Sequence, residues 1–156
     1  MSSVAVARSG AMSPASGVGN VSVMTVGGVV FDSFFLSVRD QIVHLISVDD
    51  TWFSGLRGVE IPEPLNPSNF DDRQIVRAHW DNVEQNMRDY LANLRDDMLF
   101  EKPFADGEDK DLILWQVLLH VGNHGTDHRA QLLRLLNDLG VKTESQDYIF
   151  FVYDNL

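Results

Sequence analysis

His120, His124 and His128 stand four residues apart inside a segment whose leucines recur at intervals of three and four. An α-helix turns about 100° per residue, so each fourth residue lands about 40° round from the last and the three imidazoles share one face. The spacing predicts a helix from about Lys110 to Leu139, with Gly140 as its C′ residue. Leu112, Trp115, Leu118, Leu119, Leu132, Leu133, Leu135 and Leu136 make it apolar around much of its girth, which predicts the most buried helix of the fold. Gly122 and Gly125 fall in its middle. Each costs roughly 1 kcal/mol of helix stability against alanine, so they suggest a close backbone approach there.

Two further helices are expected upstream. Ser37-Val38-Arg39-Asp40 has the form of a capping box. Behind it Val38, Ile42, Leu45, Val48, Trp52 and Leu56 recur at helical intervals up to Gly58, and His44 sits beside this stripe. Pro62, Pro64 and Pro67 make residues 58–70 a connection, and Ser68, Asn69 or Asp71 can cap the next helix. From about Asp71 to Met98, Val76, Trp80, Val83, Met87, Tyr90, Leu94 and Met98 form one stripe, with Asp81, Glu84, Arg88 and Asp89 opposite, as in a surface helix packed on one side.

The remainder reads differently. Residues 1–30 carry five of the eleven glycines and a single charged side chain, Arg8, which predicts a flexible or irregular leader ahead of a helical domain over residues 31–156. Val21 to Val30 can form an extended piece. No continuous apolar core follows Arg8, so the leader makes a poor secretory signal. Asp106-Gly107 marks a turn, Phe100 to Phe104 suits a short strand, and Tyr148-Ile149-Phe150-Phe151-Val152-Tyr153 is a β-prone run expected to pack over the helices.

Charge and cysteine content narrow the function. At 156 residues the chain is one domain by size. A net charge of -11 argues against a nucleic-acid surface and against anionic lipid, and no apolar run reaches the length of a membrane span. The absence of cysteine excludes disulfides, thiolate metal sites and cysteine nucleophiles, and agrees with a cytoplasmic address.

A lone histidine on an apolar face is usually a hydrogen-bonded core residue. Several on one face are harder to satisfy that way, because each ring nitrogen needs a partner. His124 and His128, on adjacent turns, are therefore candidate metal ligands, and a third has to be sought among His44, His79 and His120. His79 lies off its stripe. His120 and His128 stand about 12 Å apart along one helix axis, a poor fit to a single ion, although spacing alone does not exclude His120. His44 approaches from another helix and is preferred. Three neutral imidazoles leave coordination positions open, as in a catalytic rather than a closed site. Gly125 stands where the HExxH motif has its glutamate, so a thermolysin-like mechanism is not supported. Asp127 is the candidate catalytic carboxylate, and Asn123, Arg129 and Gln131 are candidates for binding a cofactor or substrate; ordinary helix-surface hydrogen bonding is the plainer role for each.

Asn123-His124-Gly125-Thr126-Asp127-His128-Arg129-Ala130-Gln131 resembles the NHxTxHRxQ signature of the DinB-like family of metal-binding helical bundles, and Ser37 to Leu45 resembles the segment that carries the family's first metal histidine. The similarity runs from about Phe31 to the C-terminus. It implies an all-α, up-down four-helix bundle with one divalent ion on His44, His124 and His128, zinc or nickel first and iron or manganese as alternatives. Two departures stand out. Asp127 takes a position where relatives often have histidine, and the glycine-rich leader occupies the place of the family's first helix. The resemblance also implies a homodimer acting on a small molecule, in some relatives a low-molecular-weight thiol, and has no bearing on DNA. Two classes of function are implied: a metal-dependent hydrolase or thiol S-transferase, or a non-catalytic stress-response protein whose ion is structural.

Overall fold

The structure, a computed structural model, describes the backbone of residues 23–26 and 29–32 and all of residues 37–156. The leader expected over residues 1–30 lies for the most part outside the described residues. The parts of it that are described form two antiparallel strands, β1 (Val23–Val26) and β2 (Val29–Asp32), paired Val23 to Asp32 and Val26 to Val29, in agreement with an extended piece there. Four helices follow: α1 (Val38–Leu56), α2 (Arg73–Ala92), α3 (Leu114–Asp138) and the short α4 (Tyr148–Asp154). Among the described residues no helix precedes α1.

Each helix is bounded by local chemistry. Ser37 Oγ accepts the Asp40 backbone N–H at 3.1 Å and starts α1. Asp72, rather than Ser68, Asn69 or Asp71, caps α2 by accepting from Gln74 N at 2.7 Å; Asn66 instead caps a short 3₁₀ turn, Pro67–Asn69. The helix expected to run to Met98 ends at Ala92, where Asn93 turns its side chain back to the carbonyl of Asp89. Leu94 and Met98 still pack on the core, but from a turn and a 3₁₀ segment (Asp96–Phe100), so the apolar stripe outlasts the helix. That segment replaces the first residue of the strand expected at Phe100–Phe104, and no strand forms in the rest of it. Gly140, at φ 76°, closes α3 in a Schellman motif, with Gly140 N donating to Asn137 O and Val141 N to Leu136 O.

α1 lies between α2 and α3 and is the most buried helix, a role expected of α3. Only Leu114, Val117, His124 and His128 of α3 are buried, because leucines spread around its girth cannot all face one neighbour; Leu119 is 54 % exposed. Arg39 pairs with Asp71 near the starts of α1 and α2, and the Phe53 and Tyr90 rings meet near their ends. The two helices therefore run in the same direction, while α3 runs against both. Residues 57–72 permit this: extended, they reach about 50 Å, and α1 is about 28 Å long. The core gathers Val48, Trp52, Phe53 and Leu56 with Leu114 and Val117. The aromatic tail becomes a helix rather than a strand, since Asp147 accepts from Ile149 N, and it does not pack over the bundle: Tyr148 is 74 % and Phe151 62 % exposed.

A candidate metal centre

At the end of α1 and α3 remote from the apolar core, His44, His124 and His128 converge. One ring nitrogen from each lies within 4.8 Å of the others. Ring centroids are 4.3 Å apart for His124 and His128, 4.7 Å for His44 and His128, and 5.4 Å for His44 and His124. Around a tetrahedral zinc with Zn–N near 2.1 Å, nitrogens stand about 3.4 Å apart, a separation that small ring rotations reach from here. The three residues are 9, 5 and 6 % exposed.

The donor set suits a cation. Both ring nitrogens of His124 are buried without a hydrogen-bond partner. Leaving such groups unsatisfied is costly, and a shared ion is the ligand that satisfies three converging imidazoles at once. Burial holds the His44 imidazole down to about 3 and His124 to about 4, with mutual repulsion among the rings adding to the effect. His128 is also lowered, chiefly by burial. Neutral imidazole is the form that binds metal.

A residue absent from the candidate set completes the arrangement. Gln41, one turn before His44, is fully buried. Its side-chain nitrogen meets His128 Nδ1 and donates to the His128 carbonyl at 3.3 Å and to Gln131 Oε1 at 3.1 Å. Oxygen and nitrogen of an amide are assigned from their partners. Two oxygen acceptors fix the amide nitrogen in this orientation, where it also holds the Nδ1 edge of His128, and Oε1 is buried without a partner among the described residues. The available signal was a polar side chain three residues before His44 on a helix face that is otherwise apolar.

The other candidates lie elsewhere. His120 leans on Trp52, ring centroids 5.2 Å apart, at the edge of the apolar core. His79 is exposed against Phe70. Asn123 and Asp127 are exposed on the outer face of α3. Gln131 accepts from Gln41 at 3.1 Å and also hydrogen-bonds the His128 side chain, which favours the charged ring. Arg129 is exposed, donates to Thr126 Oγ1 at 3.0 Å, and borders a cavity with Asp49, a residue that nothing in the sequence marks. Gly125 gives that guanidinium room, since a Cβ there would stand 3.3 Å from Arg129 Nη1; Gly122 has open space around it. Among the described residues no helix is long and apolar enough to cross a membrane.

Comparison with known proteins agrees with this geometry. The model of a family described as the DinB family matches residues 30–155. Neither the curated proteins nor the solved structures gave a match.

Proposed function

The chain belongs to the DinB family, and on that premise we propose that it is a metal-dependent enzyme in which His44, His124 and His128 hold one divalent ion, zinc or nickel before iron or manganese. The observation that carries this reading is the convergence of one ring nitrogen from each of three buried imidazoles within 4.8 Å, with His124 lacking a hydrogen-bond partner among the described residues. When bound, such an ion supplies Lewis acidity, which makes a nucleophile of water or of a thiol near neutral pH. The chain's own residues do the rest. Burial keeps the three rings uncharged, α1 and α3 fix their approach, and Gln41 holds the plane of His128. Three ligands leave a position for a small-molecule substrate, which fits hydrolysis or the transfer of a low-molecular-weight thiol.

The near-complete burial of the three rings favours a second reading, in which the ion clips α1 to α3 and performs no chemistry. Activity separates the two. Metal-loaded and chelator-stripped protein are assayed for ester and amide hydrolysis and for thiol transfer to an electrophile. Turnover that disappears on stripping and returns with metal supports the enzyme; loss of thermal stability on stripping, with no turnover in any assay, supports the clip.

A further inference from the structure

A second cavity lies on the neighbouring faces of the same helices. A cavity of about 250 Å³ opens between α1, α2 and α3, with Leu45, Ile46, Trp80 and Met87 in its walls and Asp49 and Arg129 as opposite charges. It contains none of the three clustered histidines. Drug-sized ligands occupy roughly 300–1,000 Å³, so this space suits a smaller molecule.

Its two charges are unusual in the same way. Asp49 is half-buried, has no hydrogen bond or ion pair among the described residues, and is pushed up to about 6 by burial, with Arg129 acting in the opposite direction. Among the described residues Arg129 makes no ion pair either, and Thr126 Oγ1 is the one hydrogen-bond acceptor of its five N–H donors. The remaining acid on the rim, Glu84, is taken by Arg88. Asp49 and Arg129 thus border one cavity without joining each other. A half-buried carboxylate with a perturbed proton affinity in a cleft is a candidate ligand contact. A neutral apolar ligand would leave both charges unsatisfied, and a simple anion or cation would leave one. We propose that this cavity binds a small zwitterion of the apolar α-amino acid class, its ammonium on Asp49, its carboxylate on Arg129 and its side chain against Leu45, Ile46, Trp80 and Met87. The site depends on neither the ion nor its reaction.

Calorimetric titration of the full-length protein with L-leucine, L-leucine methyl ester and N-acetyl-L-leucine tests the assignment, with metal content measured throughout because Arg129 adjoins His128. L-Leucine binds saturably. The ester, lacking the carboxylate, and the acetylated form, lacking the ammonium, bind roughly tenfold more weakly or worse, as expected for loss of one charged contact. Asp49→Asn and Arg129→Gln each lose leucine binding while folded by circular dichroism, and His79→Ala keeps it. Absence of saturable leucine binding overturns the proposal. So does an ester or acetylated analogue that binds as well as leucine, or leucine binding that survives Asp49→Asn.

Discussion

α1 and α3 cross from one kind of interior to another. At one end Val48, Trp52, Phe53 and Leu56 meet Leu114 and Val117 in a dry apolar cluster. At the other, Gln41 and His44 meet His124 and His128, equally excluded from water but lined with nitrogen. His120 marks the border, with one face on Trp52 and its Nε2 buried without a partner. The apolar end is held by contact, with Trp52 Nε1 buried in it without a partner among the described residues. At the histidine end both ring nitrogens of His124 lack one among the described residues. The same pair of helices therefore joins an apolar half to a half whose three histidines could hold an ion.

Substitutions in the two halves should fail in different ways. Trp52→Ala is expected to lose about 3–5 kcal/mol of stability through its cavity, yet to keep full metal stoichiometry in the folded protein. Denaturant unfolding with elemental analysis checks both parts, and metal loss in the folded variant would dissolve the distinction between the halves. Asp49→Asn should move stability the other way. The folded carboxyl titrates near 6 and the unfolded one near 3.8. As pH rises between these values the unfolded state releases its proton first, so Asp49 destabilises the fold progressively and fully above about 6. The shift of about 2 units corresponds to about 3 kcal/mol, and Asp49→Asn should approach that gain at pH 7 and lose it near pH 4. Equal stability of the two proteins at pH 7 would mean that no buried charge strains α1.

Smaller effects sharpen the contrast. Gln41→Leu preserves the volume of a buried side chain and removes one partner of His128. It should weaken metal binding by roughly 10–100-fold, the usual effect of losing a group that orients a ligand. A competition titration against a chelator reads this, and unchanged affinity would leave Gln41 a filler of space. Phe151→Ala, on the exposed face of α4, should change unfolding stability by under about 0.5 kcal/mol despite removing an aromatic ring. A loss comparable to that of Trp52→Ala would show that the tail is buried in solution.

Much of the fold is legible in the sequence, and the reasons differ by element. Helical periodicity locates α1, α2 and α3 because each has to bury an apolar face. Helix ends are less legible. Leu94 and Met98 keep the interval of α2 while packing from a turn, and the aromatic run of α4 obeys a cap at Asp147 that β-propensity ignores. Relative burial is misjudged for α3 because its leucines exceed the face its neighbours can cover. The family signature carries His44, His124 and His128 as a set, and the fold brings them together. Gln41, inside the matching segment, and Asp49, outside it, are not marked by it: a single glutamine or aspartate in an amphipathic helix looks like surface until burial is known.

Whether an ion completes the histidine end is tested most directly by elemental analysis of protein purified without a histidine tag. The native chain is compared with His44→Ala, His124→Ala, His128→Ala and His79→Ala. One divalent ion per chain is expected in the native protein and in His79→Ala, and none in the other three. Metal retained at full stoichiometry in His124→Ala and His128→Ala would contradict a metal centre at this end of the bundle.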